Sequence, residues 1–228
     1  MNAYHKEQRA DRARFLRDTA EHRMEIIHDD GGMFRHIRFA RPDTNTYHYN
    51  LTTMPGRLVF SGDMGSFVVA RTYDMFTFHR IDWDRTTPTI DYGYWASKCE
   101  AVDRHGGTEE FDEDIYMDVA RRELRGYLQD GRFSFGERRN IVEDAREHLF
   151  GYPMDEREAV ERAMSWECPV TRRRPFDDFW DHTPFTKPAF RWRWACWAIA
   201  EGIRSYDLGG TKAQRSDYFF SMVLKGEI

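Results

Sequence analysis

The stretch "FSGDMGSF", Phe60–Phe67, joins two apolar runs through two glycines, and its structure decides the fold of this chain. A nucleophile elbow needs G-x-S-x-G before a helix, but Ser61 has no glycine two positions earlier and a strand-like run follows Gly65. A Walker loop needs a lysine that this stretch lacks. Gly62 and Gly65 also have the G-x-x-G spacing of the KH phosphate clamp, which joins two helices rather than two strands. The stretch therefore predicts a β-hairpin tip, with glycines at positive φ and Asp63 bonding to nearby backbone N–H groups.

Apolar and polar residues alternate with a period of two on both sides of this tip. The alternating runs are "MEIIH", "FRHIRFA", "YHYNLTT", "RLVF" and "SFVVAR", and turn clusters such as Pro55-Gly56 separate them. This alternation is typical of antiparallel strands with one buried face. The pattern predicts a β-meander of four or five short strands over residues 24–72.

Helical spacing replaces this alternation at the start of the chain. Residues 1–23 predict an N-terminal surface helix, because Ala13, Leu16 and Ala20 form only a thin apolar stripe between charged faces. A helix with so narrow a stripe lies on the surface or at an interface. The prediction therefore leaves a homodimer open.

Helices are also predicted over most of residues 73–228. Two pairs of residues have the spacing of a capping box, Ser134 with Glu137 and Asp155 with Glu158. Each pair predicts the start of a helix, and the segment "YWASKCEAV" suggests another.

The run "RWRWACWAIAEGIRSYD", residues 191–207, is apolar on most sides. This predicts a buried helix at the centre of a C-terminal bundle. Residues 73–228 are therefore expected to form a helical body packed as one unit with the sheet. The predicted fold class is α+β, with a small antiparallel meander near the N-terminus packed on a larger helical body.

The composition excludes several classes of protein. Hydrophobic residues make up 40% and aromatic residues 15% of the chain, which excludes a mainly disordered protein. No apolar run approaches the roughly 18–20 residues that span a bilayer, and the N-terminus lacks the apolar segment of a secretory signal, so we expect a cytoplasmic protein. Cys99, Cys168 and Cys196 are far apart and outside any CxxC motif, which predicts reduced thiols. No cofactor is predicted.

The charges are distributed unevenly along the chain. The net charge is −5, and residues 101–150 carry 13 Asp/Glu against 8 Lys/Arg, so this segment holds the whole acidic excess. A general nucleic-acid-binding protein would show a basic face instead. The densest acidic run suits a partner with a basic surface, and it gives the predicted partner-binding residues Glu109, Glu110, Asp112, Glu113, Asp114 and Asp118. The alternative is the solvated start of a helix, where acids favour the helix dipole.

A second candidate surface follows from a cluster of arginines. Arginine makes up 29 of the 34 basic residues, because lysine occurs at five positions only, and either phosphate recognition or codon bias explains this excess. Arg172, Arg173 and Arg174 could bind phosphates, while Phe176 and Trp180 could stack on bases, which makes a nucleic-acid-binding or nucleic-acid-processing protein the alternative function.

The acids and the histidine of "DDFWDH", residues 177–182, lack the spacing of an EF-hand. We expect these acids to pair with the three arginines, and no metal site is predicted.

A third hypothesis is a small enzyme centred on three polar residues of the meander. His36 and His48 lie on neighbouring predicted strands, and Asp63 lies near one end of the sheet. If the register brought them together, they could hold a metal ion or form an acid–base pair. The spacing matches no known motif, so the sequence leans against catalysis.

Three segments resemble a family of hypothetical proteins encoded by tailed bacteriophages and prophages. They are "FRHIRFARPDTNTYHYNLTTMPGRLVFSGDMGSFVVARTYDMFTFHR", "GYWASKCEAVDR" and "RWACWAIAEGIRSYD". The resemblance implies a phage origin and expression in a bacterial cytoplasm, and it carries no functional residues. Because many phage accessory proteins counter host defences, the expected function is binding of a host protein, most concretely inhibition of a defence system that targets nucleic acid, such as CRISPR–Cas.

Overall fold

The computed structural model describes residues 3–104, 106–151 and 155–209. The chain forms two compact units, and the fold class is α+β, as predicted. Unit 1 comprises Met1–Glu109 and Pro188–Ile228, and unit 2 comprises Glu110–Lys187. These boundaries differ from the three predicted segments, since residues 110–187 form a unit of their own and the last described helix belongs with the sheet.

Unit 1 contains a six-stranded antiparallel sheet in which sequential strands are neighbours. Its strands are β1 (Arg23–Asp29), β2 (Arg35–Ala40), β3 (Tyr49–Met54), β4 (Arg57–Gly62), β5 (Gly65–Ala70) and β6 (Cys99–Ala101). Every second residue of β2 to β5 points to the buried face, for example Ile37 and Phe39 on β2. The predicted meander is confirmed, because five of the six strands lie between residues 23 and 70.

The opening stretch is the tip of the β4–β5 hairpin, as predicted. Gly62 lies opposite Gly65, so the loop consists of Asp63 and Met64. Gly65 has a φ of 104°, and Asp63 Oδ2 accepts a hydrogen bond of 2.9 Å from the Tyr47 N–H. Gly62 is required for a different reason: a Cβ there would lie 2.2 Å from the carbonyl oxygen of His48. One glycine supplies the backbone conformation and the other allows close approach of a neighbouring strand.

The sixth strand was not predicted. Helix α3 (Tyr92–Ala96) ends at Ala96, and β6 follows within the same predicted helical segment. Cys99 of β6 lies opposite Val69 of β5. A three-residue strand is too short to show a period of its own, so pairing with β5 decides its conformation.

Helix α7 (Phe190–Asp207) packs on the buried face of the sheet rather than in a C-terminal bundle. Trp192, Trp194 and Trp197 are almost fully buried, and the Trp192 ring lies 4.9 Å from that of Phe67. The prediction of a buried helix is confirmed, but its predicted location is wrong. An apolar surface all around a helix indicates burial without identifying what covers it.

Helix α1 (Ala3–Asp18) packs on α7 through a mainly polar face. Its buried residues are Gln8, Arg12 and Phe15. Arg12 Nε donates a 2.8 Å hydrogen bond to Glu201 Oε1 of α7. The thin apolar stripe did not reveal this face, because two of its buried side chains are polar and bond to the Ile90 backbone and to Glu201.

Two short helices and one long loop complete the described part of unit 1. Helix α2 (Met75–His79) contacts α7, and Asp74 caps its N-terminus. The side chain of Gln8 bonds both the N–H and the carbonyl of Ile90, at 3.1 and 2.9 Å, which fixes the loop before α3 to α1. The apolar segment "DYFFSMVL", residues 217–224, lies outside the described residues.

The described residues of unit 2 form three helices and a 3₁₀ turn. These elements are α4 (Glu113–Asp130), α5 (Phe135–His148), α6 (Glu156–Ser165) and the turn Phe179–His182. Two short strands, β7 (Glu109–Phe111) and β8 (Thr186–Pro188), pair with each other where the chain enters and leaves the unit. Tyr116 Oη donates to the Leu149 carbonyl at 2.7 Å, and Trp166 Nε1 donates to Asp144 Oδ1 at 2.7 Å.

The helix starts predicted in unit 2 are confirmed. Ser134 and Glu137 form the capping box that opens α5. Asp155 caps α6 by accepting a 2.8 Å hydrogen bond from the Glu158 N–H. Such local signals are readable from sequence because cap and first turn lie within four residues.

Candidate functional site

The acidic excess of the chain coincides with one structural unit. Residues 110–187 contain 19 Asp/Glu and 13 Lys/Arg, a net charge of −6, whereas the rest of the chain contains 20 and 21, a net charge of +1. The predicted segment 101–150 had located the excess only by position along the sequence. The structure assigns it to unit 2.

One of the predicted partner-binding residues has a structural role. Asp112 is the N-cap of α4, and its Oδ1 accepts hydrogen bonds from the N–H groups of Asp114 and Ile115 at 2.9 and 3.1 Å. Lys187 Nζ lies 3.2 Å from Asp112 Oδ2. Burial alone would raise the pKa of Asp112, but these hydrogen bonds and the lysine charge lower it overall.

The other predicted residues lie before α4 and along its first two turns. Glu109 and Glu110 are exposed on β7, and Glu109 is the last residue of the first segment of unit 1. Asp118 lies 3.4 Å from Arg121, one turn further along α4. Glu113 and Asp114 stand in the first turn, and neither forms an ion pair with any described residue. Both acids favour the helix dipole, and the exposed Asp114 is also available to a partner.

Acids on the other two helices of unit 2 are largely neutralised within their own helix. Arg139 pairs with Glu143, Arg157 with Glu161 and Arg162 with Glu158, each at i,i+4 spacing. These pairs cancel charge on α5 and α6. Other acids of the unit lie outside these two helices.

A second group of acids lies on an element that packs against α4. Phe179 of the 3₁₀ turn is buried, and its ring contacts Tyr116 of α4 edge-on at 5.9 Å. The flanking residues Asp177, Asp178 and Asp181 are exposed, and Trp180 between them is 56% exposed.

The expected pairing of these acids with the arginine cluster is wrong. Arg172 lies 3.7 Å from Glu167, and the three aspartates form no ion pair within the described ranges. We name as the acidic surface the residues Glu110, Glu113, Asp114, Asp177, Asp178, Trp180 and Asp181. Only the second group was missed by sequence reasoning. The acids that flank Phe179 were a usable signal, but the contact with Tyr116 bridges 63 positions and leaves no local pattern.

The predicted nucleic-acid surface loses one of its aromatic residues. Phe176 is only 3% exposed and packs edge-on against Trp166 and Phe179, at 5.5 and 5.6 Å. Because it belongs to the core of unit 2, it cannot stack on a base. Arg172, Arg173 and Arg174 are exposed, and so is Trp180.

The residues of the enzyme hypothesis do not form a single site. His36 lies opposite Thr52 on β3, four positions from His48, which corresponds to roughly 13 Å along a strand. The ring of His48 contacts the Asn45 carbonyl at 2.7 Å, and Asp63 is bonded to the Tyr47 N–H. His36 therefore lies too far from His48 for the three residues to form one acid–base site. Among the residues that the structure describes, no three His, Cys, Asp or Glu side chains are grouped to hold a metal ion.

The three cysteines are unpaired thiols, as predicted. Burial raises the pKa of Cys99 to about 11 and raises that of Cys196 as well. A nucleophilic cysteine requires the opposite shift, toward the thiolate. Cys99 and Cys196 are therefore not suited to covalent catalysis at neutral pH, and Cys168, where burial alone would raise the pKa but hydrogen bonds lower it overall, is fully enclosed in the core of unit 2.

Comparisons with known proteins do not identify a family for this chain. The chain matches no protein-family model, no curated protein and no solved structure. Within the described residues, no helix combines the length and the apolar character needed to cross a bilayer.

Proposed function

We propose that this chain is a phage accessory protein without enzymatic activity that binds a host protein in the bacterial cytoplasm. Its acidic surface contacts a basic surface on which the host protein normally holds nucleic acid. The most concrete form is inhibition of a CRISPR–Cas effector. The observation that carries the proposal is the concentration of the whole acidic excess in unit 2.

The chemistry of the acidic surface supports this kind of partner. Proteins that bind nucleic acid present Lys and Arg to the phosphates, and carboxylates can occupy the same positions. The exposed Trp180 adds a large, rigid contact of the type that is enriched in interface hot spots and that accepts cations on its face. Binding of this kind should weaken as the salt concentration rises.

The phage origin rests on the resemblance of three segments, residues 34–80, 93–104 and 193–207, to proteins of tailed phages. Direct nucleic-acid binding is not proposed, because Phe176 is buried and cannot stack on a base next to the arginines that begin at Arg172. Unit 2 also carries the charge sign that phosphates repel.

The test uses two charge-reversal variants that keep the cap of α4 intact. One replaces Glu110, Glu113 and Asp114 with Lys, and the other replaces Asp177, Asp178 and Asp181 with Lys. Asp112 is left unchanged because a lysine there would remove the N-cap and lie beside Lys187. A matched control replaces Asp130, Glu143 and Glu147 with Lys, and all three variants bring the net charge of unit 2 from −6 to zero.

The readout is the plaquing efficiency of a targeted phage on a host with an active CRISPR–Cas system that expresses each variant. We expect the wild-type chain and the control to restore plaquing, and the two acidic-surface variants to lose this effect while circular dichroism remains unchanged. With the purified effector, the wild-type chain should displace target DNA in a salt-dependent manner. If the wild-type chain restores plaquing against none of the effectors tested, inhibition of CRISPR–Cas is refuted. If the control variant loses the effect on plaquing as completely as the two acidic-surface variants, the acidic surface is not the binding site.

A further inference from the structure

Unit 1 contains a polar cleft that plays no part in the proposed function. Its volume is about 600 Å³, and it lies at the end of the β1–β2 pair beside the loop of residues 41–45. Arg38 alternates with the buried Ile37 and Phe39, so the cleft opens on the sheet face that points away from the core. A volume of this size falls in the range of about 300–1,000 Å³ typical of small-molecule sites.

Three arginines from three different positions of the chain line this cleft. They are Arg23 on β1, Arg38 on β2 and Arg41 in the loop, and they outnumber the acids Glu25 and Asp43. The exposed side chain of Arg23 makes no hydrogen bond or ion pair with any described residue. Arg41 contacts Glu21 at 3.3 Å, but both side chains are at least half exposed, so this pair is weak.

A hydrogen bond orients the donors of the cleft. Arg38 Nη2 donates to Asn45 Oδ1 at 3.1 Å, which directs the Asn45 amide as well as the guanidinium. The remaining N–H groups of both side chains are left for a ligand, because a guanidinium carries five donors and an amide two. Planar guanidinium groups match the oxygens of a phosphate in pairs.

The loop that forms one wall is held in place by its own hydrogen bonds. The Asn45 carbonyl accepts from the His48 N–H at 3.1 Å, and Asp63 accepts from the Tyr47 N–H. Asp43 and Tyr47 have φ angles of 62° and 57°, a conformation that non-glycine residues rarely adopt. Such residues cluster at ligand clamps, where the surrounding structure maintains them.

We propose that this arginine-lined cleft binds a small phosphate-bearing molecule of mononucleotide size. The surplus of donors selects an anion, the polar lining selects a charged ligand over an apolar one, and the volume accommodates more than the phosphate alone. This site belongs to unit 1 and does not depend on the acidic surface of unit 2. An experiment that contradicts phosphate binding therefore leaves the proposed function untouched, and the reverse also holds.

The test is isothermal titration of the full chain with AMP, adenosine and inorganic phosphate at constant ionic strength. AMP should bind saturably and adenosine should not. Arg23→Gln and Arg38→Gln should each weaken AMP binding by about tenfold, equivalent to ~1.4 kcal/mol. The control Arg71→Gln removes an exposed charge of unit 1 outside the cleft and should leave the affinity unchanged.

Each outcome decides for or against the site. Inorganic phosphate binding as tightly as AMP would support the anion site and limit its ligand to the phosphate group. Absence of saturable binding by both anions, equal binding of adenosine, or an equal loss in Arg71→Gln would overturn the proposal. If Arg38→Gln lowers the thermal stability, the affinity of Arg23→Gln decides instead, because the exposed Arg23 side chain makes no bond that the fold requires.

Discussion

The two units of this chain bury different kinds of side chain. Every buried polar or charged residue that the structure describes belongs to unit 1, and these are Gln8, Arg12, His22, Arg35, Thr53, His79 and Glu201. The described core of unit 2 contains only apolar residues and Cys168, centred on Tyr116, Phe179 and Phe185. Unit 1 therefore carries the desolvation cost of buried polar groups, whereas unit 2 keeps its charges at the surface.

The difference teaches where charge contributes to stability in this protein. A buried ion pair is costly to form and more costly to break, because removal of one partner leaves the other desolvated. An exposed pair on a helix contributes little, since water already solvates both ions. Equivalent substitutions in the two units should therefore give unequal results.

The largest expected effect is on the buried pair of unit 1. Arg12 and Glu201 are 2.8 Å apart, and their side chains are 8% and 9% exposed. Arg12→Met should lower the free energy of unfolding by about 3–5 kcal/mol, because Glu201 would remain buried without its counter-ion. Urea unfolding followed by tryptophan fluorescence measures this change.

The matched control is the exposed pair of Arg157 and Glu161 in unit 2. Arg157→Met should not be distinguishable from the wild type, since the pair is solvated. The double variant Arg12→Met with Glu201→Met should recover most of the lost stability. If Arg12→Met costs no more than Arg157→Met, the contrast between the units is wrong.

A buried histidine makes unit 1 sensitive to acid. His79 is fully buried, its Nδ1 lies 2.8 Å from the Met75 carbonyl, and its Nε2 has no partner among the described residues. Burial lowers the pKa of His79 from 6.5 to about 4. Between these two pH values the unfolded chain binds a proton at this histidine and the folded chain does not. The free energy of unfolding therefore decreases as the pH falls from 6.5 toward 4, by about 1.4 kcal/mol per pH unit.

Replacement of this histidine should reduce the acid dependence. His79→Phe keeps a ring against Trp95 but removes the titrating group. Urea unfolding at several pH values between 7 and 4.5 should show a shallower loss of stability than in the wild type. An unchanged slope would mean that other groups control the acid response of unit 1.

Two glycines, one in each unit, allow the tightness of packing around a helix to be compared between the units. In α7 of unit 1, a Cβ on Gly202 would lie 2.8 Å from Leu51 Cδ1 and 3.3 Å from Phe39 Cζ. In α4 of unit 2, a Cβ on Gly126 would meet nothing within 4 Å. Gly202→Ala should destabilise the protein by about 1–2 kcal/mol, because overpacking exceeds the gain in helix propensity, and Gly126→Ala should stabilise it by about 0.5–1 kcal/mol. Thermal unfolding of both variants tests the prediction, and shifts of the same sign would contradict it.

The sequence predicted local features well in both units. The period of two identified β2 to β5 because each strand has one buried face, and the capping box at Ser134 was readable because its partners are three residues apart. The hairpin at Gly62 was recognised for the same reason. These features depend on neighbours along the chain.

Contacts between distant residues were not predictable. The partner of Arg12 lies 189 positions away, so α1 looked like a surface helix although its polar face is buried. The location of α7 on the sheet was missed, since an apolar helix does not identify its neighbours. At the acidic surface, composition located the charge, but only the coordinates separated the capping role of Asp112 from the exposed Asp114.

An effect smaller than that of Arg12→Met is expected at this cap. Asp112→Ala should lower the stability of unit 2 by about 0.5–2 kcal/mol at neutral pH, because two N–H groups of α4 lose their acceptor. Asp112→Asn keeps an acceptor and should cost less. Since the pKa of Asp112 is lowered from 3.8 in the folded state, the contribution of the charge is complete above that value and disappears as the pH falls through the folded pKa.

The pKa of one aspartate of unit 1 is shifted in the opposite direction to that of Asp112. Burial raises the pKa of Asp11, despite the nearby Arg193 and the hydrogen bond from Tyr92, so protonation of this group on acidification favours the folded state. Carboxyl NMR titration of the full chain should show that Asp11 takes up its proton at a higher pH than Asp112. The reverse order would mean that the interior of unit 1 solvates its carboxylates as well as the surface of unit 2 does, and the contrast between the two units would then lose its physical basis.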